Sequence, residues 1–389
     1  MSKPIVLIFL EYYLPGYKNG GPLRTIANIV EHLGDTFAFK IVTRDRDLGE
    51  TVPYPSILKN QWQQVGKAHV LYLPSKASNL FSLYQLIKKT PFDILYLNSF
   101  FDPNFTIKPL AIRLLSLNFS KPVILAPRGE FSKGALNLKK TKKKIFIKLI
   151  SPFKPYKNIT WHASSEQEQA DIQRQAFIKP KKIHIAPDLP ASRMINASST
   201  SHQDLPTTRP LKILFLARIS PMKNLDYALN TLVKIEPNII FDIYGPLTDL
   251  KYWKTCQGLI NAMPQHITVN YCGSIAHELT AAVFKQYDLF FLPTRGENYG
   301  HVIAEALSEG TPVLISDRTP WRDLEKNNLG WSFPLEKNTA FVDCIENFAL
   351  KLKTGNLTSR STIQTTMLKQ LQKPELIEAT RQLFLTALA

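Results

Sequence analysis

Short, wholly apolar runs alternate with amphipathic stretches along this chain, and the alternation starts twice. Ile5–Leu10 is apolar throughout, a polar loop with Gly20-Gly21 follows, and Leu23, Ile26, Ile29, Val30 and Leu33 then recur at helical spacing. Leu211–Ala217 restarts the pattern, with a loop from Arg218 and a helix carrying Leu225, Ala228, Leu229 and Leu232. Strands without alternation belong to parallel sheets covered on both faces. Further runs at Ala38–Thr43, Ala68–Leu73, Asp93–Leu97, Val123–Ala126, Ile159–His162 and Lys182–Ala186 fill the first half. Ile239–Tyr244, Ile267–Tyr271, Tyr287–Leu292 and Thr311–Ile315 fill the second. The class is therefore α/β, with two Rossmann-like domains. Residues 1–190 form the first, 191–210 a polar linker, 211–365 the second, and 366–389 hold a last helix near Glu375–Ala387. No GxGxxG fingerprint follows Leu10, which argues against a dinucleotide cofactor.

Charge is divided unevenly. Of the net +17, residues 1–190 hold 28 Lys and Arg against 13 Asp and Glu, while residues 210–353 hold 14 against 15. Nine lysines and no acid lie between Phe131 and Ser165. Asn137–Ile150 reads as one helix, with Leu138, Ile145, Phe146, Leu149 and Ile150 toward one side. Lys139, Lys140, Lys142, Lys143, Lys144 and Lys148 cover much of the rest. Such a helix suits an anionic membrane surface, and a core-packed helix with a solvated lysine face fits the same pattern. No zinc spacing or other nucleic-acid signature accompanies the charge, so nucleic acid is not the expected partner. No run reaches the ~18 apolar residues of a membrane span, and Ile5–Leu10 reads as a buried strand instead of a signal peptide. Cys256, Cys272 and Cys344 lack any metal-binding spacing and read as reduced thiols, so the expected location is cytoplasmic, peripheral on the inner face of the membrane.

Chemistry concentrates in Leu292–Pro320. A strand end, a turn through Pro293–Gly296, a helix from near Tyr299 to Gly310 and another buried strand follow one another. Glu297 stands before the helix and Glu305 inside it. A carboxylate in such a turn suits sugar hydroxyls, and the helix start suits a phosphate. In the other loop, Arg218 and Lys223 place two cations within six residues, matched to a diphosphate; Arg alone forks onto two oxygens.

Glu297-x7-Glu305, with Tyr299-Gly300 between and Gly310-Thr311-Pro312-Val313 after, resembles the signature of retaining GT-B glycosyltransferases, the family 4 enzymes and their relatives. The Arg218…Lys223-Asn224-Leu225 loop is similar to a second family motif. The resemblance implies two Rossmann-like domains facing a cleft and a C-terminal helix returning to the first domain. It implies a retaining transfer of sugar from a nucleotide-diphosphate sugar to a saccharide acceptor, without metal or other cofactor. Glu297, Arg218 and Lys223 would act in catalysis. Gly20, Gly21, Ser274, Asn298, Tyr299, Gly300 and Glu305 would join them around the donor, with Glu305 on the ribose hydroxyls. The family usually reads Glu-Gly/Ser-Phe-Gly where this chain has Glu-Asn-Tyr-Gly, so Asn298 bears on donor choice.

The acceptor side is sought at strand ends of the basic half: Asn98, Arg128, Glu130 and His162. Arg128 suits a phosphate and equally a structural ion pair. Asp45-x-Asp47 has a metal-binding form, but its two flanking arginines favour a solvated loop. A lipid-linked saccharide in capsule, O-antigen or exopolysaccharide assembly makes best use of the basic face. Two rival readings are a sugar-nucleotide epimerase on the same fold and a non-catalytic membrane-associated binding protein.

Overall fold

The structure is a computed structural model that describes residues 2–116, 119–137, 140–153, 155–175, 177–178, 180–195 and 209–389. Most of the 191–210 linker therefore lies outside the described residues. The chain divides into two compact units, residues 1–192 with 374–389, and residues 193–373.

The first unit holds β1 (Ile5–Phe9), β2 (Ala38–Arg44), β3 (Trp62–Val65), β4 (Ala68–Leu73), β5 (Ile94–Asn98), β6 (Val123–Ala126), β7 (Thr160–Ala163) and β8 (Lys182–Ile185). Their order is β3-β4-β2-β1-β5-β6-β7-β8. All neighbours pair in parallel except β3 with β4, which are antiparallel. Helices cover both faces, which is why β1 and β5 are apolar at successive positions and not at alternate ones. One core holds Leu7, Phe9, Leu95 and Trp161; the opposite face holds Val6, Ile8, Tyr96 and Phe39. The connections from β1 run first to β2 on one side and later reach β5 on the other. The loop after β1 thus opens at a switch point, where ligands of open α/β sheets bind. Gly20 lies there at φ 73°, capping helix Gly21–Leu33, and a Cβ on it would meet only open space.

Helix Pro374–Leu388, the last of the chain, belongs to this first unit. Phe384 inserts between Phe37, Phe39 and Tyr96, with ring centroids 5.2, 6.0 and 5.9 Å away. His184 meets the Ala379 carbonyl at 3.2 Å. Truncating a fully buried phenylalanine removes its transfer energy and leaves a cavity, so Phe384→Ala should cost about 3–5 kcal/mol. Urea unfolding followed on the first unit measures this; an unchanged midpoint would mean that the helix is not part of that core.

The second unit holds β9 (Leu211–Leu216), β10 (Ile239–Tyr244), β11 (Ile267–Gly273), β12 (Leu289–Leu292), β13 (Val313–Ser316) and β14 (Gly330–Phe333), all parallel. The order β11-β10-β9-β12-β13-β14 puts its switch point between β9 and β12. Arg218 and Lys223 follow one of these strands and Glu297 the other. Gly245, just past β10, is required by close approach: at φ 144° an added Cβ would fall 1.8 Å from the Ala217 carbonyl oxygen. That contact seats the loop after β10 against the loop after β9.

Two strands escape the sequence pattern. Trp62–Val65 is mostly polar and pairs only at a sheet edge, and Gly330–Phe333 begins on a glycine.

Candidate active site

The loops after β9 and β12 are stapled to each other. Asn224 is buried in the left-handed conformation at φ 64°. Its Nδ2 donates to the Pro293 carbonyl at 2.9 Å, and its Oδ1 accepts from Arg295 Nε at 2.8 Å. The Arg295 amide and the Thr294 hydroxyl both donate to the Met222 carbonyl, at 2.8 and 3.1 Å. The consequence is an ion pair between Lys223 Nζ and Glu297 Oε1, whose side chains keep only 15% and 10% of their exposure. Pairs this sheltered are weakly screened by salt. Arg218 lies two residues beyond β9, and the neighbouring Ile219 amide donates to Pro246 at 2.9 Å.

On its other side the Glu297 loop is held by the segment after β13. Glu297 N–H donates to the Arg318 carbonyl at 3.0 Å, Ser316 Oγ to the Thr294 carbonyl at 2.5 Å, and Trp321 Nε1 to the Tyr299 carbonyl at 2.6 Å. The Tyr299 ring packs 4.8 Å from His301 and 5.6 Å from Trp321. Helix His301–Ser308 begins two residues later than the spacing suggests, because Gly300 at φ 82° serves as its cap. A Cβ there would press on Ile303 and Trp321. Asn298 Nδ2 is buried and has no hydrogen-bond partner.

Glu305 projects from this helix toward His277, Oε1 to Nδ1 3.6 Å, with both side chains mostly covered. His277 opens helix His277–Phe284, three residues after Ser274. Ser274 itself is exposed, beyond the edge strand β11. Sequence reasoning missed His277, Arg295 and Trp321 as parts of this site and had Asn224 only as a member of the loop motif, without its stapling role. Only Asn224 carried a signal, by following Lys223 directly.

The four residues expected on the acceptor side make internal contacts, and Arg128 takes the structural ion pair that its sequence left equally open. Arg128 stands at the end of β6 with φ 55°, and its side chain is turned inward, 4% exposed. Its Nη1 donates to Asp188 Oδ1 at 2.7 Å, Nε to Asn98 Oδ1 at 2.7 Å and Nη2 to Tyr96 OH at 2.6 Å. Tyr96 OH bonds His162 Nδ1 at 2.7 Å, and His162 Nε2 bonds the Ala186 carbonyl at 2.8 Å. Because the carbonyl only accepts, Nε2 carries the proton and Nδ1 accepts from the tyrosine. Glu130 accepts from Ser99 Oγ at 2.9 Å and from the Phe100 and Phe101 amides at 2.5 and 3.1 Å, holding the strained turn at Ser99, φ 138°. The physical reason is satisfaction of buried polar groups: each of the four makes hydrogen bonds inside the unit. Asn98 is the exception in part, since its Nδ2 has no partner.

Burial, with Arg128 beside it, pushes the His162 imidazole down to about 3. In the unfolded chain the same group titrates near 6.5, so acid protonates the unfolded state first and stability falls with pH across that window. The slope is at most about 1.4 kcal/mol per pH unit. Between pH 7.5 and pH 5 the wild type should lose about 2 kcal/mol more than His162→Gln in urea titrations. Equal losses would mean that His162 protonates freely when folded.

Asp45 and Asp47 are a correction. They are 1% and 5% exposed, so this is not a solvated loop. Asp47 Oδ2 accepts from the Tyr17 and Lys18 amides at 2.9 and 3.2 Å, and Asp45 holds Arg46 at 2.8 Å. Asp47 thereby anchors the loop between β1 and Gly20. Among the described residues no three His, Cys, Asp or Glu side chains converge as a metal site would need.

A second correction concerns the lysine-rich stretch. The structure describes helices Lys133–Asn137 and Lys140–Ile150 here. Leu138 and Lys139 lie outside the described residues, as do the side chains of Lys140 and Lys144. Lys143 is turned inward, donating to the Ala135 carbonyl at 2.8 Å and sitting 4.7 Å over the Phe101 ring. Phe146 and Ile150 pack on the core, whereas Ile145 and Leu149 are exposed beside Lys142 and Lys148. No helix among the described residues is long and apolar enough to cross a membrane.

The family model for glycosyl transferases group 1 matches residues 198–355, which include both stapled loops. A UDP-N-acetylglucosamine–peptide N-acetylglucosaminyltransferase subunit of Streptococcus agalactiae is 24% identical over 40% of this chain and 31% of its own. A 41.2 kDa uncharacterised protein from the cps region of Klebsiella pneumoniae is 27% identical over 62% of this chain and 65% of its own. The chain thus matches about a third of one relative's length and just under two thirds of the other's.

Solved structures cover nearly the whole chain. Sucrose-phosphate synthase of Thermosynechococcus elongatus has TM-score 0.69 at 16% identity, covering 99% of this chain and 100% of its own. Anabaena HepE, in complex with UDP-glucose, has TM-score 0.67 at 16% identity, covering 98% of each chain. The fold is that of GT-B glycosyltransferases, two Rossmann-like α/β units, and with the match at 198–355 it supports a glycosyltransferase.

Proposed function

We propose that the protein transfers a sugar, with retention and without a metal, from a nucleotide-diphosphate sugar to a lipid-linked saccharide during assembly of an envelope polysaccharide. The observation that carries this is the Lys223–Glu297 pair, made by stapled loops at the switch point of the second sheet, with Arg218 in the same loop after β9 as Lys223. Breaking the sugar–phosphate bond builds negative charge on the departing diphosphate. Arg218, Lys223 and the helix start at His301 stabilise that charge where it develops. The diphosphate replaces Glu297 as the partner of Lys223, and the freed carboxylate accepts from sugar hydroxyls. Glu305, oriented by His277, takes the ribose hydroxyls. Asn298 Nδ2, a buried donor with no partner, selects a donor sugar by an acceptor oxygen it offers. Acceptor attack occurs on the face the phosphate leaves, and the phosphate takes the proton, so no enzyme nucleophile is needed.

A UDP-sugar is the first donor to try, since HepE was crystallised with UDP-glucose. The Klebsiella relative's place in a cps region favours polysaccharide assembly. The basic first unit takes the acceptor, and Lys142, Lys148, Ile145 and Leu149 rest on the anionic inner face of the membrane. Incubation with UDP-sugars and a lipid-linked acceptor, with the anomer of the product read by NMR, tests the reading. An α-linked product from an α-donor supports it; epimerised nucleotide sugar without acceptor would overturn it.

A further inference from the structure

The first unit carries an open cavity of about 240 Å³ at the carboxyl ends of β2 and β4. Arg44, Lys76 and Lys108 line it, with Ser78, Asn79 and Asn104 between them. Three cations from three separate segments converge on one hollow, and their local compensation is incomplete. Arg44 pairs with Glu11 at 3.1 Å but stays one-third exposed. Lys108 Nζ is held by two neutral acceptors, the Ser78 carbonyl at 2.6 Å and Asn104 Oδ1 at 2.7 Å, so its charge has no counter-ion in contact. Lys76 is exposed. The nearby Asp102 is buried, with Oδ1 accepting from the Asn104 and Phe105 amides.

Lys108 continues the helical turn Pro103–Ile107, whose start the Asp102 side chain caps, into helix Lys108–Leu115. Helix Leu80–Lys89 begins at the cavity rim, capped by Asn79, and the positive end of its dipole favours an anion there. Arg44 offers a fork and the two lysines offer point charges, a set suited to a phosphate carrying about two negative charges.

The rim supplies the second half of the argument. Immediately after Asn79, Leu80, Phe81 and Tyr84 stand out in solvent, Phe81 at 71% of its full exposure. Large apolar side chains grouped on one helical turn beside a cationic hollow match a ligand with an anionic head and a hydrocarbon tail. We infer that this cavity holds the phosphate of the acceptor and that Leu80, Phe81 and Tyr84 receive the chain bearing it. The inference rests on the transferase reading, because it names the acceptor class, a phosphate or diphosphate borne on a hydrocarbon chain, for the first unit.

Calorimetric titration of the whole protein without nucleotide sugar, using farnesyl diphosphate, inorganic diphosphate and farnesol, tests it. Farnesyl diphosphate should bind at least 10-fold more tightly than inorganic diphosphate. Lys76→Gln and Lys108→Gln should each weaken both anions by about 10-fold or more, in line with loss of a charge-assisted contact. Phe81→Ser should weaken farnesyl diphosphate alone. Lys76 is exposed, so its variant keeps the test valid if Lys108→Gln does not fold. Equal binding of the two anions would overturn the lipid-borne source, and farnesol binding as well as farnesyl diphosphate would overturn the phosphate site. Diphosphate affinity lost in Lys223→Met but untouched by Lys76→Gln would overturn the cavity and leave the transferase reading standing.

Discussion

Lys223→Met should lower the rate of sugar transfer by about 10²–10³-fold, the range found when one donor to a developing oxyanion is removed. The loss should fall on kcat, because Lys223 is paired with Glu297 before the diphosphate arrives. Much of its interaction is therefore gained only as charge moves onto the leaving group. Glu297→Gln should behave differently. It frees Lys223 from its partner, so nucleoside diphosphate should bind more tightly while transfer falls. Initial rates over a range of donor concentrations, with product-inhibition constants for the diphosphate, separate the two. If Lys223→Met left kcat unchanged, the stapled loops would be structural and the leaving-group role would be withdrawn.

The second large effect is on stability. Arg128→Met leaves Asp188 charged and buried at 3% exposure and removes the donors to Asn98 and Tyr96. Breaking a buried pair by removing one partner costs about 3–5 kcal/mol. Pairing Arg128→Met with Asp188→Asn should recover part of this, because the double variant no longer buries the charge that Arg128 balances. Equilibrium unfolding of the four proteins of the cycle measures it. A loss below about 1 kcal/mol, which is the ordinary value for a surface pair, joined with a raised acceptor KM would return Arg128 to the acceptor side.

The contrast between these two arginine and lysine positions shows what the sequence can convey. Lys223 and Glu297 lie in loops that follow adjacent strands, and both strands are marked by local apolar runs. Their approach follows from sheet order, and sheet order follows from the repeated strand–helix pattern. Arg128 also follows a strand, which is why it read as a ligand-facing residue. Whether its side chain turned outward depended on Asp188, 60 residues away, and on a tyrosine inside β5. No local pattern encodes that choice. Asp45 and Asp47 mislead for the same reason. Two arginines beside them suggest solvent, yet Asp47 is needed inside to satisfy the amides of Tyr17 and Lys18.

Helical periodicity also has a limit in the lysine-rich segment. It groups Ile145, Phe146, Leu149 and Ile150 by spacing alone. The fold takes Phe146 and Ile150 into the core and leaves Ile145 and Leu149 outside. Lys143, expected on the charged face, lies on an aromatic ring because its long stem can cover apolar surface while its ammonium finds a carbonyl. The cavity bounded by Arg44, Lys76 and Lys108 was invisible at that level. Its three cations come from three segments that only the sheet brings together.

The central claim is that Arg218, Lys223, Glu297 and Glu305 form a nucleotide-diphosphate site on the second unit. Thermal shift of the wild type and of Glu305→Ala against UDP-, GDP-, ADP- and TDP-sugars tests it most directly. One base class should raise the melting temperature of the wild type, and Glu305→Ala should lose most of that shift without a change in its own ligand-free melting point. No shift with any nucleotide, or an equal shift in Glu305→Ala, would contradict the claim.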